Sequence, residues 1–263
     1  MTVRSLFATL LLAAAAVPVA AQPAPTAQSL VDRNLEARGG AAAIAAIKSI
    51  SFAGRTIFPG DIEVAYSEWR AMDGARVRDR LVFSLQGLDI VQAFDGEGAW
   101  KINPLQGRKD AERMSADEAR QIADSASIAG SLLQSRADGS KVTYLGREDF
   151  DGTDAYKLKV AQKDGDEFVY WLDPDTFLEI KVDETRRIRG AQQVSETELG
   201  DYEKVAGVYF PMSIESWSQG HPNDRARTII ATATANPPLN NSLFEQPGQP
   251  AAAAKTAKPS KGN

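Results

Sequence analysis

The stretch 48–102, KSISFAGRTIFPGDIEVAYSEWRAMDGARVRDRLVFSLQGLDIVQAFDGEGAWKI, decides the fold. Its apolar residues recur at every second position in runs of strand length: 48–58, 62–70, 75–83, 88–94 and 98–102. Between them stand Pro59-Gly60, Asp73-Gly74, Gly87 and Asp95-Gly96, residues that accept the backbone angles of tight hairpins. Strands joined this closely form an antiparallel meander.

Toward the C-terminus the same period returns at 141–148, 154–162, 166–172, 176–185, 191–202, 207–218 and 225–234, which makes twelve strands in all. Two segments break it. Ala27, Leu30, Val31 and Leu35 follow a helical spacing that Gly39-Gly40 stops, and a short turn carrying Ile44 and Ile47 follows. Ser115 and Glu118 form a capping box opening a helical stretch over 115–136, with Ile122, Ile128, Leu132 and Leu133 as its apolar stripe. So many consecutive antiparallel strands accumulate twist until the sheet curls toward a barrel or splits into a sandwich. The helical segments then fill or cap its concave face.

At the ends, Arg4, the apolar run 6–17 and Val19-Ala20-Ala21 read as an export signal over 1–21, cleaved after Ala21. Residues 22–26 read as a linker, 27–245 as one domain, and 246–263 as a disordered tail without a large apolar anchor. No second apolar run reaches membrane-spanning length. The 263 residues hold 30 Lys+Arg against 35 Asp+Glu, a net charge of −5 that gives nucleic acid no electrostatic footprint. With no cysteine and one histidine, thiolate chemistry, cysteine-ligated zinc and histidine metal clusters are excluded, and no cofactor or metal is expected.

Catalytic signatures are equally thin. His221 lies in the turn Gly220-His221-Pro222-Asn223-Asp224, no G-x-S-x-G elbow exists, and the acidic run 149–154 is a hairpin turn before it is a calcium loop. Aromatic and apolar side chains are plentiful instead. Trp69, Trp100, Trp171, Trp217, Phe94, Phe210 and Met212 lie on or beside the strands, where they can line an interior or simply form a packed core.

The segment Gln92-Ala-Phe94-Asp95-Gly96-Glu-Gly98-Ala-Trp100-Lys-Ile-Asn103-Pro104 resembles the strand–turn–strand of periplasmic lipoprotein carrier proteins and their outer-membrane lipoprotein-sorting relatives. Similar in order are Gly39-Gly40 with Ile47-Lys48-Ser49-Ile50, the run 151–158, Trp171-Leu172-Asp173, Asp201-Tyr202, Phe210-Pro211 and Ser242-Leu243-Phe244. The resemblance implies a mainly β fold with helices, an incomplete, half-open antiparallel β-barrel with a helical lid over an apolar cavity. It implies a soluble periplasmic carrier, monomeric and not an enzyme, that holds a lipid or the acyl chains of a lipoprotein and meets inner- and outer-membrane components. Trp69, Arg70, Phe94, Trp100, Trp171, Phe210 and Met212 are the candidate ligand-binding residues. The family's functional arginine is followed by proline; Arg70 matches its position with Ala71 in the proline's place, so a lid latch and a solvated edge charge are both open for it. An envelope lipid hydrolase and a scaffold or sensor domain are the alternative functions.

Overall fold

A computed structural model describes residues 24–74 and 76–248. The signal expected over 1–21, the start of the linker and most of the 246–263 tail lie outside them. Two helices, α1 (Ala27–Ala37) and α2 (Gly40–Ala46), precede a first meander of β1 (Ser49–Phe58), β2 (Ile62–Asp73), β3 (Arg76–Leu85), β4 (Leu88–Phe94), β5 (Ala99–Asn103) and β6 (Arg108–Arg113). Helices α3 (Ala116–Ser125) and α4 (Gly130–Asp138) lead to a second meander of β7 (Lys141–Phe150), β8 (Thr153–Ala161), β9 (Glu167–Leu172), β10 (Glu179–Ile188), β11 (Ala191–Val205), β12 (Val208–Ser218) and β13 (Ala226–Ala235). All thirteen strands form one antiparallel sheet, ordered β6-β5-β4-β3-β2-β1-β13-β12-β11-β10-β9-β8-β7. The two meanders meet at β1 and β13, while β6 and β7 stay apart as free edges, so the barrel is half open.

Two details differ from the sequence reading. Strand β6, RKDAER, is a thirteenth strand without apolar alternation, held by pairing Trp100 with Arg113 and Lys101 with Glu112. The 115–136 helix is two helices, separated by the linker Ala126–Ala129, whose first three residues are buried and after which Gly130 takes φ +78°. The predicted capping box is present: Glu118 N donates to Ser115 Oγ at 3.3 Å, and Ser115 N donates back to Glu118 Oε2 at 2.9 Å. That backbone bond and the Ser115 hydroxyl lower the Glu118 carboxyl to about 2.

The pairing is short at the centre of the sheet. β12 and β13 pair only over Ser213–Ser216 and then splay apart. The α1–α2 elbow occupies the gap: Tyr209 N donates to Arg38 O at 2.9 Å, so the helix end takes up the free edge of β12. Gly39, at φ +120°, sits so close that a Cβ there would lie 2.2 Å from Gly207 O. On the other side of the gap β1 has a register shift between Ala53 and Gly54, and a Cβ on Gly54 would meet Ile229 O at 2.0 Å. Gly54→Ala is therefore expected to push β1 off β13 and to cost roughly 1–3 kcal/mol, the range for overpacking, in a urea titration. An unchanged midpoint would show that the joint can relax.

Two large apolar clusters pack the concave face against the helices. One gathers Leu30, Val31, Leu132, Leu133, Leu158 and Phe168; the other gathers Ile47, Phe52, Ile128, Phe210, Met212 and Ile230. Together they clamp α1, α2 and α4 over the sheet as a lid.

Candidate functional site

Between lid and sheet lies a cavity of about 220 Å³. Ile128, Phe168, Val182, Leu199, Phe210 and Ile214 supply its apolar wall, and Arg38, Arg70 and Arg186 its cations. Residues on β2 and β9 border the same space although six strand spacings separate them in the sheet, which is the direct sign of curling.

Strand parity explains the arginines. On β2 the concave side carries Val64, Tyr66, Glu68 and Arg70; on β10 it carries Val182, Glu184, Arg186 and Ile188. Both strands thus present a Glu-x-Arg pair inward. Arg70 Nε and Nη2 donate to Glu68 at 2.9 and 3.0 Å, and Arg186 Nε donates to Glu184 Oε2 at 3.0 Å. Each glutamate lies opposite a phenylalanine of the neighbouring strand, Phe52 or Phe168, and each guanidinium rests over that ring at 5.5 or 4.9 Å. Arg186 Nη1 also donates to Asp124 of α3 at 2.7 Å and to Asp166 at 2.9 Å, tying the lid side to the wall.

Arg38 is the hub of the lid. From the end of α1 its Nε donates to Tyr209 O at 3.0 Å, its Nη2 to Ile128 O at 3.2 Å, and its Nη1 to Ala129 O and Glu179 Oε1 at 3.5 and 3.4 Å. One side chain joins α1, the α3–α4 linker, β12 and β10. Arg70, which the resemblance offered as a latch, is held within the sheet by Glu68, with its side chain 22% exposed.

Asp79 sits opposite Arg70 on β3, its Oδ1 buried with no hydrogen-bond partner among the described residues and 4.0 Å from Arg70 Nε. Burial, and then the charge of Glu68, push its carboxyl well above the ordinary carboxylate range. The folded protein therefore keeps a proton that the unfolded chain releases near pH 3.9, and this contribution to stability is lost as pH rises from there through the folded-state value. Asp79→Asn should melt close to wild type at pH 4 and above it at pH 8. A variant less stable at both pH values would contradict the assignment.

The candidate residues separate onto two faces. Arg70 and Phe210 border the cavity; Met212 packs beside it with Phe52 and Ile230, and Phe94 packs under α3 with Ala99, Ala119 and Ile122. Trp69 and Trp100 share the opposite, convex face through the pairings Trp69–Arg80 and Ala93–Trp100, and Trp171 and Trp217 lie on that face in the second meander. There charged side chains cover three of the four rings: Arg80 over Trp100, Lys157 and Lys181 over Trp171, Arg225 over Trp217. Alternation separates two faces without saying which is the interior, so the tryptophans could not be placed from it. Arg38, Arg186, Asp124 and Glu179 went unnoticed because charged residues are read as solvated; the usable signal was charge standing in the apolar parity of a strand.

The architecture is a half-open antiparallel barrel with a helical lid, a fold also seen in solved structures of low sequence identity. In particular it is similar to a DUF1329 family protein from Desulfovibrio piger (12% identity, 84% of this chain and 98% of that one, TM-score 0.59). It is also similar to a domain from Vibrio parahaemolyticus ascribed to outer membrane lipoprotein sorting (12%, 83% and 97%, 0.56). A third likeness is to a LolA superfamily protein from Nitrosomonas europaea (15%, 84% and 98%, 0.53). By sequence the chain matches no family model and no curated protein. Among the described residues no helix is long and apolar enough to cross a membrane.

Proposed function

We propose that this protein is a periplasmic carrier that holds the acyl chains of a lipid or lipoprotein between its curved sheet and its helical lid, in transit toward the outer membrane. The observation that carries this reading is the cavity under the lid, bordered by side chains from both meanders. At roughly 30 Å³ per water-sized group, 220 Å³ takes about seven methylenes, worth roughly 5–6 kcal/mol at 0.8 kcal/mol each. That is below the usual 300–1,000 Å³ of a ligand pocket, so a full acyl chain needs the lid to move outward. No step in this role calls for a catalytic group, and the carrier acts as an exported monomer that exchanges cargo with membrane components.

The small volume and the matched ion clusters also favour a second reading, a scaffold or sensor domain whose interior is filled by its own side chains. Mass spectrometry of an organic extract separates the two. Protein purified from its native envelope should release acylated lipid near one equivalent, and Phe210→Glu should release about tenfold less while still folded by circular dichroism. Lipid-free wild-type protein would favour the scaffold.

A further inference from the structure

Resting on the carrier reading, we propose that the cavity selects an uncharged hydrogen-bond acceptor at the head of its cargo, an acyl ester or amide carbonyl, and rejects a free carboxylate. The charges of the wall decide this. Each guanidinium there is already bonded: Arg38 to Glu179, Arg70 to Glu68, and Arg186 to Asp124, Asp166 and Glu184. Arg120 reaches Asp166 from α3 at 3.4 Å, and Asp164 and Asp117 at 3.2 and 3.5 Å, so it too is matched by carboxylates. An incoming anion therefore finds no unmatched cation and several carboxylates it must approach. A neutral acceptor escapes that repulsion.

Arg186, which borders the cavity, also keeps one donor in reserve. The Arg186 side chain is 95% buried, and its Nη2 has no hydrogen-bond partner among the described residues while Nε and Nη1 are both engaged. A buried N–H left unpaired is unfavourable, and a carbonyl oxygen relieves it without adding charge. Phe168, under the same guanidinium, and the apolar wall beyond it would take the alkyl chain.

The test compares 1-monolauroylglycerol with laurate at pH 7.5, each displacing N-phenyl-1-naphthylamine from the full-length mature protein. The ester is expected to bind at least tenfold more tightly than the anion of equal chain length. Arg186→Lys keeps the cation among its carboxylates and loses the planar donor, so it should lower the ester-to-laurate affinity ratio about tenfold, with the naphthylamine titrated on the same variant as its reference. Should that variant fail to fold by circular dichroism, Glu184→Gln replaces it, and the laurate-to-ester affinity ratio should then rise several-fold. Laurate binding as tightly as the ester, or a folded variant without its stated shift, overturns the selectivity while leaving the carrier reading intact. Failure of the ester, laurate and the naphthylamine all to bind overturns the carrier reading and the selectivity with it.

Discussion

Phe244→Ala is expected to lower stability by about 3–5 kcal/mol, the range for emptying a buried aromatic site, and Tm by roughly 6–20 °C at 2–4 °C per kcal/mol. Phe244 is 1% exposed although it follows the last strand, because residues 237–246 run as a strap across the convex face of the first meander. Trp100 Nε1 donates to Phe244 O at 2.8 Å, Arg80 Nη1 to Leu243 O at 3.2 Å, and the Arg78 guanidinium lies 5.5 Å from the Phe244 ring centre. Gln246 Nε2 closes the strap by donating to Ala111 O at 3.0 Å. Truncation after Asn236 removes all of this at once, uncovers Trp100 with Val91 and Ala93, and leaves the indole N–H unpaired, so cooperative unfolding should be lost. Removal of residues 249–263 should shift Tm by no more than a degree or two. Thermal melts followed by near-ultraviolet circular dichroism check all three, and a Phe244→Ala melt within 2 °C of wild type would refute the strap.

Arg38→Met should be nearly as severe, at about 3–5 kcal/mol, because it leaves Glu179 as a buried charge without its cation. Both side chains of the pair are more than nine-tenths buried. The double variant Arg38→Met/Glu179→Gln should regain most of the loss, since the stranded charge goes with its partner. Hydrogen exchange should at the same time quicken in α1 more than in β8, because Arg38 links that helix to the linker carbonyls of Ile128 and Ala129. A single variant within 1 kcal/mol of wild type in a denaturant titration would show that packing alone holds the lid.

Much of this architecture was readable before any coordinates. Alternation such as Tyr156, Leu158 and Val160 against Lys157 and Lys159 located the strands, since one wet and one dry face leave that pattern whatever lies beyond the strand. β6 leaves none, because an edge strand of mostly charged residues is held chiefly by backbone pairing to β5. The site was less legible. Glu68 and Arg70 stood in the same parity as Val64 and Tyr66, yet a charged side chain is solvated unless partners from distant strands surround it, and those partners are fixed only by the closed register. The tryptophans failed for the converse reason: a long cation can bury a ring on an outer face as well as a core can.

The strand order also has a kinetic meaning. Of the twelve pairings in the sheet, eleven join strands consecutive in the chain, so each meander can assemble hairpin by hairpin. One pairing, Ile50 opposite Ala235, must bring together segments from opposite ends of the domain. Because loop-closure entropy grows only with the logarithm of length, that single event costs about 3 kcal/mol more than closing a hairpin. Two zippers that run independently, and then one clasp between them, make a large antiparallel sheet reachable without an extended search among registers.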